Sequence, residues 1–326
     1  MRIALWDIAA AQKGRLEPLL GPNDQIVDIP DTPQSPVDID VLIVSRYAAK
    51  DAARARYRLL QTPGAGTDKI DFSAVDPHAY VCNAFEHEGP IAEYVFAAIL
   101  DHAVGFGAMT RQIAELGWGG AYFSRPPHLE LAGRTLGLIG LGHIGAAVAH
   151  RAKAFGMRVM AVTASGRSSV PEIDWVAPTS RLEEMLVATD YLVIAAPLTE
   201  ATRGLIAMPQ LKRMKRSALL VNIARAEIAD EADLFAALRD GTIGGAVIDA
   251  WYRYPASAED AATPSRFALE SLPNVRMTPH SAAWTDGVWE RRCKVFAENI
   301  RRLAAGEPLL NVVRAPLAIG RAAAGR

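Results

Sequence analysis

Leu136-Gly137-Leu138-Ile139-Gly140-Leu141-Gly142-His143-Ile144-Gly145 is the stretch from which the rest of the chain is read. A short apolar run with the look of a strand is followed by glycines at 140, 142 and 145 in the spacing Gly-x-Gly-x-x-Gly, directly before a helical pattern over residues 144–154. Each glycine answers a separate need. Gly140 permits a tight turn, Gly142 lets backbone approach a pyrophosphate, and Gly145 lets helix pack on strand, while amides at the helix N-terminus face the anion. The spacing alone is a weak signal. In a strand, turn and helix it predicts a dinucleotide-binding turn, with His143 as a polar surface side chain near the pyrophosphate and Ile144 beside it.

Outward from this turn, strand-like runs at residues 135–139, 158–162, 191–195, 218–222, 246–248 and 275–278 alternate with helical segments at 144–154, 182–187, 208–211 and 231–239. Six strands with intervening helices are the inventory of a complete dinucleotide-binding sheet. Earlier runs at 3–8, 26–29, 41–45, 59–62 and 80–83, rich in β-branched residues, predict a second parallel sheet. Pro90 suits the first turn of a helix, and a long, mostly buried helix follows through Glu93, Tyr94, Val95, Phe96, Ile99 and Leu100. Residues 117–127, rich in Gly, aromatics and Pro, read as a loop or arm. Residues 284–306 form one amphipathic helix that returns to the first domain, and the Ala/Gly/Arg tail after Pro316 is expected to fray. The expected fold class is α/β, with two Rossmann-like domains built on doubly wound parallel sheets. A discontinuous substrate domain, residues 1–89 and 284–326, surrounds a dinucleotide-binding domain at 90–283.

Composition narrows the function classes. The 326 residues are 50% hydrophobic and 22% charged, with a formal net charge of −1, and about two domains fit that length. Nearly balanced charge offers no field for a phosphate backbone or an anionic membrane, so neither nucleic acid nor membrane is an expected partner. The most apolar stretch, residues 91–109, is broken by Glu93, Asp101 and His102, which argues against a membrane span. Cys82 and Cys293 are the two cysteines. They cannot build a disulfide framework or a four-thiolate metal site, and no metal is expected. A cytoplasmic setting is expected, since the N-terminal run Arg2-Ile3-Ala4-Leu5-Trp6 has no signal-peptide pattern.

The strand after the glycine turn bears on the cofactor. NAD binding normally uses an acid at its end to hold the adenosine ribose, but this strand ends in Thr163 and no carboxylate follows until Glu172. Thr163, Ser165 and Arg167 could instead hold a 2′-phosphate, Arg167 supplying charge and the hydroxyls hydrogen bonds. That reading favours NADP, with NAD bound without the usual acid as the alternative.

Several ordered motifs now carry a resemblance. Leu131-Ala132-Gly133-Arg134-Thr135-Leu136-Gly137 precedes the glycine turn, Ala188-Thr189-Asp190 leads to Ala196-Pro197-Leu198-Thr199 and Thr202, and Leu220-Val221-Asn222-Ile223-Ala224-Arg225 follows. Gly245-Ala246-Val247-Ile248-Asp249 and Leu272-Pro273-Asn274-Val275-Arg276-Met277-Thr278-Pro279-His280 complete the set. Over almost the whole chain this resembles the D-isomer-specific 2-hydroxyacid dehydrogenases. The resemblance implies hydride transfer between NAD(P)H and a small 2-keto or 2-hydroxy acid, with His280 as acid/base and Arg225 binding carboxylate and carbonyl oxygens. It implies that Asp249 accepts from the nicotinamide carboxamide, that Pro197, Leu198 and Thr199 line one side of the nicotinamide while Ile223 and Ala224 line the other, and that Ala196 is also cofactor-binding. The loop Gly64-Ala65-Gly66-Thr67-Asp68 is similar to the family loop whose amides at Ala65 and Gly66 hold the substrate carboxylate. His87 and Trp284 are further substrate-contact candidates, Glu88 beside His87 reads equally as a helix-start acid, and Arg46 and Tyr47 are expected to be solvated.

One motif departs from the family. Its usual glutamate partner for the histidine is replaced by Tyr254 in Asp249-Ala250-Trp251-Tyr252-Arg253-Tyr254-Pro255. A carboxylate would stabilise imidazolium, whereas a tyrosine orients the ring by hydrogen bonding, so the neutral ring is expected to persist to lower pH. Another acid, Glu86, Glu88 or Glu290, is the alternative source of charge. Arg225-Ala226-Glu227 also replaces the family's usual Arg-Gly pair, which leaves Arg225 in place. The departure at Tyr254 leaves open a dehydrogenase of another small anion, such as formate or phosphite, or a nucleotide-sensing corepressor-like protein. The aromatic arm from Trp118 to Phe123 is where relatives dimerise, and a homodimer is expected.

Overall fold

The computed structural model describes residues 1–171 and 173–317. Glu172 and the tail from residue 318 onward, where fraying was expected, lie outside the described residues. The chain divides into two compact units, Met1–Glu86 with Thr285–Arg326, and His87–Trp284.

The second unit is built on seven parallel strands. From edge to edge they are Trp175–Pro178, Arg158–Thr163, Thr135–Ile139, Tyr191–Ile194, Leu219–Asn222, Gly245–Ile248 and Val275–Met277. The central strands are buried along their whole length, as a parallel sheet covered on both faces requires. On one face Met185, Leu186, Leu234 and Leu238 of the helices Leu182–Ala188 and Glu231–Arg239 pack with Leu192, Ile194 and Leu220. On the other, Ile91, Val95 and Ile99 of the helix Glu88–Val104 join Val148 and Ala152 of the helix His143–Ala154 over Leu136, Leu138 and Val193. Chain order reverses around Thr135–Ile139, the switch point at which such sheets bind ligands.

Two features of this unit differ from the sequence reading. The edge strand Trp175–Pro178 makes seven strands rather than six; it is short and ends in Pro, which an edge strand tolerates because its outer side needs no amide. Residues 117–127 are not simply a loop. The helix Phe106–Ser124 runs through the first part of them, with non-helical backbone at Gly117 (φ 69°, ψ 170°). Glycine raises the cost of a helix by about 1 kcal/mol per residue without forbidding it, and Ser124 ties the last turn by donating to the Gly120 carbonyl at 2.7 Å. The stretch Glu88–Ser124 is long and apolar enough to cross a membrane. It is interrupted at Gly105, whose φ of +73° is left-handed, and the first half is a core helix of the unit.

The first unit carries a six-stranded sheet in the order Val312–Arg314, Tyr80–Cys82, Leu59–Gln61, Val41–Ile43, Arg2–Leu5, Gln25–Ile26. Five strands are parallel, and Val312–Arg314 adds antiparallel to Tyr80–Cys82, a pairing made only by long-range return of the chain. The helix Val288–Ala305 packs Cys293, Phe296, Ile300 and Leu303 against Ile3, Val41, Ile43, Leu59 and Cys82. Tyr47 corrects its expected solvation. It is 2% exposed, stacks on Trp6 and meets Tyr57 edge-on, because the aromatic body gains more from burial than its hydroxyl loses. Arg46 is exposed.

Candidate active site

The glycine turn has the geometry its spacing requires. Gly140 has φ +93°, and a Cβ there would lie 2.8 Å from the Cα and N atoms of Ala196. A Cβ on Gly145 would lie 2.5 Å from the Gly140 carbonyl oxygen, so helix and strand are in close contact. A Cβ on Gly142 would meet nothing within 4 Å. One glycine is therefore needed for conformation, one for packing and one for an open approach to backbone, and this cradle fits a pyrophosphate at the start of the helix His143–Ala154. His143 is exposed at the first helical position and Ile144 is half-buried. Beside the turn, Ala196 is buried, and the Thr202 hydroxyl donates to the Pro197 carbonyl at 2.8 Å and accepts from Thr199 N–H at 2.8 Å. Thr202 thus shapes the Pro197 to Thr199 loop.

Beyond the next strand, Thr163, Ser165 and Arg167 belong to one compact turn around Gly166. The Thr163 hydroxyl donates to the Arg167 carbonyl at 3.3 Å, and Arg167 N–H donates to the Ser165 hydroxyl at 3.3 Å. Arg167 is exposed. Gly166, at φ +66°, would place a Cβ 2.8 Å from Pro178 N, so the edge strand helps fix this loop.

Arg225 stands at the end of Leu219–Asn222. The buried Asn222 accepts from Ala224 N–H at 3.1 Å and donates to the Arg225 carbonyl at 3.0 Å, folding Ile223, Ala224 and Arg225 into a closed turn. Arg225 Nη1 donates to the Ala224 carbonyl at 2.8 Å, which sets the direction of the guanidinium fork. Ile223 is buried and Ala224 half-buried at this turn.

Asp249 organises the segment that carries His280. It is 3% exposed. Its Oδ1 accepts from the Thr278 hydroxyl at 2.6 Å and Ser281 N–H at 2.7 Å, and its Oδ2 accepts from Ala282 N–H at 2.9 Å. These bonds bracket His280, whose φ of +55° is left-handed, a conformation that persists when surrounding contacts over-determine it. Tyr94 joins its hydroxyl to that of Thr278 at 2.6 Å, and Trp251 Nε1 donates to the Thr278 carbonyl at 2.7 Å. The resemblance assigns Asp249 to the carboxamide; in this structure it also holds the histidine segment.

Tyr254 lies at the departure from the family pattern. Its Oη is 2.5 Å from His280 Nδ1 and accepts from Trp251 N–H at 3.2 Å. Burial raises the Tyr254 phenol above its usual range; the Trp251 amide and the Arg225 charge oppose that shift, and Asp249 and Glu227 add to it. A neutral phenol therefore faces the imidazole where the family places a carboxylate.

The remaining candidates are spread over other segments. In the first unit, the Gly64 to Asp68 loop is fixed through carbonyls: Asn83 donates to that of Ala65 at 2.9 Å, and the Thr62 hydroxyl to that of Gly64 at 2.9 Å. Gly66 is exposed in this loop. Glu86 pairs with Arg291 at 3.8 Å, and Glu290 is exposed. In the second unit, His87 is buried at the start of the helix Glu88–Val104 and its carbonyl accepts from Ile91 N–H at 2.9 Å. Glu88 is half-buried, with its Oε2 lacking a hydrogen bond. Trp284 is exposed and donates its amide to the Ser281 carbonyl at 2.8 Å. Among the described residues no group of His, Cys, Asp and Glu is placed to hold a metal. Sequence reasoning missed the supporting roles of Asn222, Tyr94 and Trp251. A polar group inside an apolar run was the available signal for the first two.

Comparisons with known proteins agree with this architecture. Residues 96–282 match the family profile of the D-isomer specific 2-hydroxyacid dehydrogenase NAD binding domain. A glyoxylate reductase of Korarchaeum cryptofilum is 33% identical over 80% of this chain and 77% of its own. A glycerate dehydrogenase of Methylorubrum extorquens is also 33% identical, over 79% of each chain. The solved D-isomer specific 2-hydroxyacid dehydrogenase from Xanthobacter autotrophicus, in complex with NADPH and MES, superposes with a TM-score of 0.77 at 26% identity, covering 96% of this chain and 97% of that one. These relatives do not favour the formate, phosphite or corepressor alternatives. With its glycine cradle, ordered motifs and these relatives, the chain belongs to the D-isomer-specific 2-hydroxyacid dehydrogenase family and is an NAD(P)-dependent oxidoreductase acting between 2-keto and 2-hydroxy acids.

Proposed function

We propose that this protein reduces a small 2-keto acid of the glyoxylate or hydroxypyruvate type with NADPH, using Arg225 and His280. The observation that carries the reading is the Tyr254–His280 pair, 2.5 Å apart, in the same unit as the fixed Arg225 turn. When bound, the cofactor supplies a hydride from C4 of its nicotinamide. Arg225 holds the substrate carboxylate and polarises the carbonyl, because its planar fork matches two oxygens at once. His280, with Nδ1 turned to Tyr254, presents Nε2 as the nitrogen that exchanges a proton with the substrate oxygen. The substrate size rests on the names of the relatives. A panel of glyoxylate, hydroxypyruvate and longer 2-keto acids tests it: oxidation of NADPH by the short acids is expected, and His280→Ala should lower kcat/KM about 10²- to 10⁴-fold with NADPH binding intact. Reduction of no 2-keto acid, together with cofactor reduction by formate or phosphite, would overturn the reading.

NADP preference rests on the Thr163, Ser165 and Arg167 turn and on the NADPH bound to the Xanthobacter relative. Arg167→Ala should raise KM for NADPH about tenfold or more and leave NADH unchanged, since one charge-assisted contact contributes on the order of 1.5–3 kcal/mol. Equal effects on both cofactors would refute the assignment. Trp118 and Phe123, 70% and 88% exposed, are large apolar groups suited to a homodimer contact; sedimentation as a monomer at micromolar concentration would exclude it. A cytoplasmic setting suits two thiols that burial keeps protonated, Cys82 pushed up to about 12 and Cys293 to about 11. Cell fractionation tests that placement.

A further inference from the structure

We propose that Tyr254 is the proton source for carbonyl reduction, delivering its phenolic proton through His280 rather than merely steadying the ring. The inference rests on the reductase reading above and deepens it.

The argument begins at two atoms. Tyr254 Oη accepts from Trp251 N–H at 3.2 Å and lies 2.5 Å from His280 Nδ1. With one lone pair given to the amide, the hydroxyl can point its proton along the short contact at Nδ1. A ring that accepts at Nδ1 is neutral and carries its own proton on Nε2. A carboxylate at position 254 would impose the reverse, taking Nδ1–H as a donor and leaving Nε2 protonated only in imidazolium. The tyrosine therefore makes the neutral ring a hydrogen-bond donor toward the substrate.

The proton transfers balance. As the carbonyl carbon is reduced, its oxygen takes the Nε2 proton, breaking N–H and forming O–H. The imidazole recovers neutrality by taking the Tyr254 proton at Nδ1, breaking the phenolic O–H and forming Nδ1–H. The phenolate that remains accepts from Nδ1–H and Trp251 N–H; once product leaves it takes the Nδ1 proton back while Nε2 gains a proton from solvent, which restores the starting tautomer. Charged groups acting on it include Arg225, which stabilises phenolate, and Asp249 and Glu227, which oppose it. His280 is neutral before and after the transfer, its Nε2 proton given to the substrate and a second proton received from Tyr254 at Nδ1. A phenol is a far stronger acid than an aliphatic alcohol, and although burial weakens the Tyr254 phenol as an acid, transfer to a developing alkoxide remains downhill.

The relay has a signature that a steadying role lacks. With a slow 2-keto acid, chosen so that hydride transfer limits the rate, kcat/KM should vary less than about threefold from pH 7 to 9, because no imidazolium is consumed. Tyr254→Phe should fold and bind NADPH normally but fall about tenfold per pH unit above about 6.5, where its histidine must ionise to act as an acid. Tyr254→Glu should restore activity at pH 7 with an alkaline fall. A solvent proton inventory should be curved for the wild type, with two protons in flight, and linear for both variants. Independently of turnover, imidazole ¹⁵N NMR at pH 8 should show His280 Nδ1 unprotonated in the wild type. A wild-type rate that falls tenfold per unit from neutral pH, a flat profile in Tyr254→Phe, or a protonated Nδ1 on the neutral ring would overturn the relay. Failure to reduce any 2-keto acid would instead overturn the reductase reading, while the NMR result would still decide the tautomer.

Discussion

Asp249→Asn tests whether the His280 segment is held by one buried carboxylate. Three donors converge on it: Ser281 N–H and the Thr278 hydroxyl on one oxygen, Ala282 N–H on the other. An asparagine has one carbonyl oxygen and one NH₂, so in either flip its NH₂ opposes at least one buried N–H. An unsatisfied buried donor costs about 1–3 kcal/mol, and loss of charge assistance in the remaining bonds adds roughly 1 kcal/mol, giving about 2–4 kcal/mol. At roughly 2–4 °C per kcal/mol for a domain of this size, Tm should fall by about 5–15 °C. The left-handed His280 (φ +55°) loses the contacts that enforce it, so kcat/KM should fall tenfold or more. Calorimetry of the full chain, with parallel NADPH titration, separates the outcomes. Asp240→Asn, at an exposed pair with Arg239, should leave Tm within about 1 °C. An unchanged Tm in Asp249→Asn with NADPH Kd raised tenfold would assign Asp249 to the carboxamide alone and refute the anchoring role.

Two further outcomes follow from the same geometry. Gly142→Ala, with open space around its Cβ, should keep the wild-type Tm yet weaken NADPH binding at least tenfold, whereas Gly145→Ala, 2.5 Å from the Gly140 oxygen, should lower both Tm and affinity; equal Tm losses would contradict this division of labour. Glu231 is buried, which raises its carboxyl, but bonds from Arg266 N–H, the Arg266 guanidinium and the Ser265 hydroxyl hold it below the usual 4.5. Its folded pKa is depressed, so its contribution is present above the unfolded value and lost as pH falls through the folded one. Denaturation of the wild type and Glu231→Gln should give stabilities that differ at pH 6 and converge toward pH 3, and a constant difference would contradict the linkage.

Much of the fold was legible because its signals are local. Four- to six-residue apolar runs and helical periodicity locate strands and helices without knowledge of their neighbours, and the three glycines at 140, 142 and 145 declare a turn whose needs are met within a few residues. The edge strands Trp175–Pro178 and Val312–Arg314 escaped that reading, since each is short and exists only through pairing with a partner. Tyr47 escaped it as well, its burial depending on Trp6 and Tyr57 from other segments.

At the site the sequence by itself determined which groups are present: Arg225, His280, a phenol where the family has a carboxylate, and a glycine cradle for pyrophosphate. The tertiary structure decided what they face. Tyr254 and His280 are 26 residues apart in the chain and meet at 2.5 Å, while Asp249 and Trp251 fix the backbone and carbonyl of the segment between Thr278 and Ala282. Hydrogen bonding acts over about 3 Å and with strict direction, so it is set by the register of neighbouring strands and the loops that leave them, which no local pattern encodes.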